Sequence, residues 1–172
     1  MALYSEKKSW RQEFFRRFSS KSPEELLYQH TILEKRLWFY CGRLLKKSHV
    51  RLLIYKSLPS EIPIEKLVAK SSCQIFFPKI LGRGLYAQHG RLLLPLHAVD
   101  FLIVPCLLFN SEGYRLGRGG GFYDRALRFL PKEKLLLLAR AWQKEDQIPV
   151  EEHDVKVPLY LTDEEISFFV QL

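Results

Sequence analysis

Sulfur is scarce in this sequence, which has three cysteines (Cys41, Cys73 and Cys106) and one methionine among 172 residues. An odd number of cysteines without paired spacing argues against a disulfide framework and a zinc site. His30, His49, His89, His97 and His153 show no metal-ligand spacing such as H-E-x-x-H, so each is read as structural. Long apolar runs are also missing. The most apolar stretch, residues 92–109, is broken by Pro95, His97, Asp100 and Pro105, which predicts strands rather than a membrane span. Glu6, Lys7 and Lys8 stand where a signal peptide would need its apolar core. No repeat, low-complexity tract or linker divides the chain. The expectation is one domain over residues 1–172, a cytoplasmic monomer with reduced thiols and no membrane partner.

Acidic residues are lacking in one region only. Residues 1–60 hold 13 Lys and Arg against 5 Asp and Glu, whereas residues 61–172 hold 14 of each, so the first third carries the whole net charge of +8. A basic face either suits an anionic partner, such as a nucleotide, a polyglutamate tail or nucleic acid, or is simply a solvated surface.

Glycine is sparse too, but four of the nine glycines fall within residues 117–121. They belong to the run Gly113-Tyr114-Arg115-Leu116-Gly117-Arg118-Gly119-Gly120-Gly121-Phe122-Tyr123-Asp124-Arg125. It follows a buried strand predicted at residues 101–104 and precedes a helix predicted at residues 124–130. Such a turn exposes successive backbone N–H groups and the positive end of the helix, a cradle for phosphate. Arg115 and Arg118 add forked donors for phosphate oxygens. Asp124 places a carboxylate where a hard cation would take oxygen ligands. The pattern is neither the P-loop nor the Rossmann fingerprint, and a flexible glycine-rich surface loop is the plain alternative.

The run from Arg115 to Arg125 resembles the signature loop of the 5-formyltetrahydrofolate cyclo-ligase family. The resemblance implies an ATP-dependent ligase that closes 5-formyltetrahydrofolate to 5,10-methenyltetrahydrofolate, with ATP as co-substrate and Mg²⁺ as cofactor. It assigns ATP binding to Arg115, Leu116, Gly117, Arg118, Gly119, Gly120, Gly121, Phe122 and Tyr123. It assigns catalysis to Arg118 and Tyr123, and the metal to Asp124. Where some members have a lysine this chain has Gly120, and where an aspartate is assigned to magnesium in some members it has Pro158.

Further positions gain meaning from the same resemblance. Ser5 predicts the cap of a helix over residues 6–18, on which Trp10, Phe14, Phe15 and Phe18 form one stripe with Lys7 and Arg11 inside it. The two cations either snorkel at the edge of that face or reach a phosphate chain. The family's opening Lys-x-x-x-Arg helix contacts ATP phosphates, and Lys7 and Arg11 match that spacing. Lys56 and Glu61, after a strand predicted at residues 50–55, match positions that contact folate. Glu61 either accepts hydrogen bonds from a pterin or caps the next helix, predicted at residues 64–71. Arg118 and Phe122 complete the expected folate contacts.

Ser22-Pro23-Glu24-Glu25 is a capping box that starts a second helix. Residues 85–96 predict a hairpin turning at residues 88–90, and residues 135–138 a strand covered on both faces. The acidic stretch 145–154 is expected to face the basic first third, and Thr162-Asp163-Glu164-Glu165 predicts a short terminal helix carrying Phe168 and Phe169. The resulting fold class is three-layer α/β/α, with a mostly parallel, Rossmann-like sheet, helices on both faces and a helical N-terminal segment. A non-catalytic folate- or nucleotide-binding module is the runner-up; an RNA-binding protein is the remotest reading.

Overall fold

The structure, a computed structural model that describes residues 2–168, is organised by its all-apolar runs. β1 (Arg51–Leu53), β5 (Phe101–Val104), β8 (Leu135–Leu138) and β9 (Leu159–Leu161) carry no polar residue that would mark one side as wet, apart from Arg51 at the start of β1 and Tyr160. Such strands are stable only when both faces are covered, and they become the parallel centre of the sheet. With β2 (Gln74–Leu81), β3 (Gly84–His89), β4 (Leu92–Pro95) and β10 (Ile166–Phe168), the order is β10-β9-β8-β5-β1-β2-β3-β4. The pairings β2–β1, β1–β5, β5–β8 and β8–β9 are parallel, while the β2–β3–β4 arm and β10 are antiparallel.

Alternation along the strands sorts side chains into two cores. Leu52, Ile103, Leu136 and Leu161 face α2 (Pro23–Leu45) and α3 (Ile64–Leu67), where they meet Leu33, Leu37, Ile64 and Leu67. Leu53, Leu102, Leu137 and Tyr160 face the other way, onto Leu127 and Leu130 at the end of α4 (Phe122–Leu127) and onto Leu85 and Ala87 of the β2–β3–β4 arm. Each fully buried Leu contributes about 1.5–3 kcal/mol, so a polar substitution on either parity of these strands is costly. α1 (Ala2–Ser19) lies apart. Its aromatic stripe, Phe14 with Trp10 and Phe18, packs on Leu107, Leu108, Leu116 and Ile148.

Several local expectations are corrected. Ser5 lies within α1, which begins at Ala2. Ser22 caps α2 as expected, accepting from the Glu25 N–H at 3.1 Å, and the helix runs on past Gly42. α3 is only four residues long, and its N-cap is Pro63, so Glu61 does not cap it. The glycine loop does not follow β5 directly. A separate ribbon of β6 (Leu108–Phe109) and β7 (Arg115–Leu116) intervenes, and β7 leads into the loop. α4 starts at Phe122 and is six residues long, which is too short for its dipole to carry the phosphate cradle. After β9 the chain makes a tight turn, where Thr162 Oγ1 accepts from the N–H groups of Glu164 and Glu165. The turn reverses the chain into β10 rather than into a helix. Phe169 lies outside the described residues.

Candidate active site

Register brings the carboxyl ends of β1 and β5 side by side, Leu53 opposite Leu102. The segments leaving those ends, together with β7, the glycine loop and α1, enclose a cavity of about 500 Å³, a size suited to small-molecule binding. Lys7, Arg11, Lys56, Glu61 and all residues from Arg115 to Asp124 line it. Every site residue expected from the sequence is therefore in one place.

The loop is shaped by glycine where a side chain would not fit. Gly119 and Gly121 hold φ of +104° and +61°. A Cβ on Gly119 would come within 3.3 Å of the Arg11 guanidinium carbon, and one on Gly120 within 2.8 Å of the Phe122 ring. Arg11 is pinned to this backbone, its Nε donating to the Gly117 carbonyl at 2.9 Å. Of the two cations inside the aromatic stripe of α1, neither is a snorkelling side chain at a wet edge.

Lys7 is 9% exposed and donates to Glu151 at 2.6 Å and Asp154 at 2.7 Å. Burial pulls its pKa down, but the hydrogen bonds it donates to Asp154 and Glu151 outweigh that and hold it above the ordinary lysine value. Arg17 likewise reaches Glu145 at 2.8 Å. The acidic stretch 145–154 faces α1 as expected, and part of the N-terminal positive charge is consumed inside the molecule. Glu151, His153 and Asp154 also offer ligand atoms within 4.8 Å of one another, the kind of group that can hold a metal ion, but the Lys7 ammonium already sits against both carboxylates.

Arg118 spans the cavity to the segment that follows β1. Its Nε donates to Glu61 Oε1 at 2.9 Å and its Nη2 to Ser60 Oγ at 2.8 Å, while Glu61 also accepts from the Leu58 N–H at 2.9 Å. Arg115 is buried, donates to Asp124 at 3.0 Å, and lies 5.6 Å above the Tyr123 ring. Among the described residues two buried atoms in this group have no hydrogen-bond partner, Arg115 Nε and the Tyr123 hydroxyl. Unsatisfied buried donors beside a cavity are what a polar ligand would satisfy. Burial pushes the Tyr123 hydroxyl well above its usual value despite the nearby Arg115 charge, so it stays protonated and serves as a donor.

The sequence alone did not point to Tyr55, Ser60 or Cys106. Tyr55 and Cys106 line the cavity, and the Tyr55 hydroxyl is spent on the Ile62 carbonyl at 3.0 Å. Burial pushes the Cys106 thiol up to about 12, which rules out a thiolate nucleophile near neutral pH. Ser60 follows Pro59 as an ordinary turn residue, and only the approach of Arg118 reveals its part.

Comparison with known proteins places these features in context. The profile of the 5-formyltetrahydrofolate cyclo-ligase family matches residues 87–163. A 5-formyltetrahydrofolate cyclo-ligase of Escherichia coli K12 is 40% identical over 78 residues, which is 44% of this chain and 43% of the relative. The aligned stretch is thus under half the length of that protein. The mouse protein of the same name is 27% identical over 91% of this chain and 93% of its own. Among solved structures, a 5,10-methenyltetrahydrofolate synthetase from Mycoplasma pneumoniae superposes with a TM-score of 0.79 at 20% identity, covering 92% of this chain and 99% of that one. One from Aquifex aeolicus gives 0.78 at 21%, covering 95% and 92%. At those identities the likeness shows the fold, an α/β sheet shared from end to end. Among the described residues no helix is long and apolar enough to cross a membrane.

Proposed function

From its kinship with the 5-formyltetrahydrofolate cyclo-ligase family, in sequence over residues 87–163 and in fold throughout, we propose that this chain catalyses the ATP-dependent closure of 5-formyltetrahydrofolate to 5,10-methenyltetrahydrofolate, releasing ADP and phosphate. The observation that carries this reading is the convergence of Lys7, Arg11, Glu61 and the 115–124 loop on one cavity.

In the reaction the formyl oxygen attacks the γ-phosphorus of ATP and ADP departs. The oxygen, now carrying phosphate, activates the formyl carbon toward N10. Ring closure loses the N10 proton and expels phosphate, which takes the former formyl oxygen with it. Phosphoryl transfer needs alignment and charge stabilisation more than covalent chemistry. The loop N–H groups, Lys7, Arg11, Arg115 and Arg118 supply donors for the phosphates. Glu61 accepts from the pterin amino and ring N–H groups, Phe122 packs against the folate, and Lys56 stands at the rim of the same segment. The Tyr123 hydroxyl donates without titrating.

Asp124 uses one carboxylate oxygen on Arg115, and its other oxygen fits a hard divalent cation whose remaining ligands would come from phosphates and water. Mg²⁺ held there would neutralise charge on the phosphate oxygens. Pro158 offers no second carboxylate. Arg118 and Glu61 satisfy each other, and binding of the two substrates parts them. Glu61 is then free for the pterin and Arg118 for phosphate.

Transfer of isotope tests the chemistry. With ¹⁸O in the formyl group, the label should appear in inorganic phosphate in equal amount to methenyl product. Product whose formation leaves the phosphate unlabelled would contradict the proposal.

A further inference from the structure

Much of the positive charge in the first third of the chain is compensated within the molecule. Lys7, Arg16, Arg17, Lys21 and Arg51 are held in ion pairs, and Arg11 donates to a backbone carbonyl. Most of the remainder gathers on the second half of α2 and the residues that follow it. Among the described residues Lys35, Arg36, Arg43, Lys46 and Lys47 have neither an ion pair nor a side-chain hydrogen bond, and residues 35–60 contain no Asp or Glu. Glu34, just before this stretch, lies 3.7 Å from Lys70.

Two aromatic rings stand among these cations. Phe39 is 81% exposed and Tyr40 46%, and they pack edge to face with ring centroids 5.0 Å apart. Residues three and four apart are neighbours on a helix, so Lys35 and Arg43 bracket Phe39, while Arg36 and Arg43 bracket Tyr40. Tyr28, also exposed, falls within about 40° of Lys35 and Phe39 around the helix axis. Leu33 and Leu37 occupy the opposite side and enter the core, so the stripe of rings and cations faces outward.

An anionic bilayer rewards a block of aliphatic side chains with cations on its polar flank, whereas Leu27 is the sole exposed aliphatic residue of α2. A nucleic-acid duplex would engage the cations but keep its bases stacked on each other. Phosphates together with unpaired bases match both parts of the stripe. We infer that this side of α2 binds single-stranded nucleic acid, with phosphates on Lys35, Arg43, Lys46 and Lys47 and bases stacked on Phe39 and Tyr40. None of these residues lines the large cavity, so the inference stands apart from the proposed reaction.

The test measures fluorescence anisotropy of labelled oligouridylate and oligothymidylate, about twelve nucleotides long, with the full chain at low and rising salt. Wild type should bind, with log K falling by about 3 per decade of salt if four phosphates are neutralised. Phe39→Ala/Tyr40→Ala should weaken binding at least about tenfold with the salt slope kept. Lys35→Gln/Arg43→Gln should flatten that slope by about 1.4. A preference for the uridylate or the thymidylate decides between RNA and DNA as the natural strand. All six positions are remote from the cavity, so both variants should retain wild-type turnover of 5-formyltetrahydrofolate. Absence of binding at low salt overturns the inference, as does binding that the ring variant keeps or that a duplex of the same length matches, since either is charge attraction alone. Binding to vesicles rich in phosphatidylserine, lost in the ring variant and without any to oligonucleotides, makes the stripe a membrane surface and overturns it too.

Discussion

The wall built from residues 115–124 and the wall built from Lys7, Arg11, Lys56 and Glu61 face each other across one cavity, yet they are held in different ways. The first is a continuous piece of backbone, bent by glycines and anchored through buried Arg115. The second is a set of single side chains from α1 and from the segment after β1, of which Lys7 is fixed by two carboxylates, Arg11 by the Gly117 carbonyl and Glu61 by Arg118. A loop of this kind tolerates little change of backbone, whereas scattered side chains can be altered one at a time. Ion pairs join the two walls and their surroundings, so the charges of the site compensate one another.

Substitutions on the two walls separate these roles. The largest loss is expected for Arg118→Ala, which removes a donor that the proposed reaction directs at developing phosphate charge. Its kcat/KM should fall on the order of 10²–10³-fold, with the stability of the fold unchanged. Glu61→Gln should weaken folate binding about tenfold to a hundredfold while leaving ATP binding nearly untouched, because an amide replaces a charged acceptor. Titrating each ligand alone would separate the two effects, and an equal loss of both would break the division between the walls. Gly119→Ala places a side chain at φ +104° and against Arg11, a strain of about 1–3 kcal/mol. A weakening of ATP affinity up to about a hundredfold is the expected result, with folate affinity kept.

The smallest effect lies away from the cavity. The hydrogen bonds from Arg51, opposed by partial burial, hold the Asp100 carboxyl below its ordinary value. A group whose pKa is lower folded than unfolded stabilises the fold above its unfolded pKa, near 4 or about that, and the contribution is lost as pH falls through the folded value. The urea midpoint of wild type should therefore drop in acid below about pH 4, and that of Asp100→Asn should start lower and drop less.

Much of this was legible in the sequence because it was local. The all-apolar runs announced the covered strands, Ser22 announced the start of α2, and the glycine run announced a loop with left-handed glycines. What the sequence hid was long-range or too short to have a pattern. The two-residue strands β6 and β7 leave no periodicity to read, so the sequence alone joins the loop directly to β5. The capping pattern at Thr162 is shared by helix starts and tight turns, and pairing with β9 decided between them. The partner of Arg118 at Ser60 lies 58 positions away, and nothing near either residue announces the contact.

The most direct test of the whole account follows methenyltetrahydrofolate by its near-ultraviolet absorbance, with purified protein, 5-formyltetrahydrofolate, ATP and Mg²⁺. Product should form in step with ADP and stop when ATP is left out. If the protein binds folate and ATP yet makes no product, the cavity is a binding site and the proposed reaction is wrong.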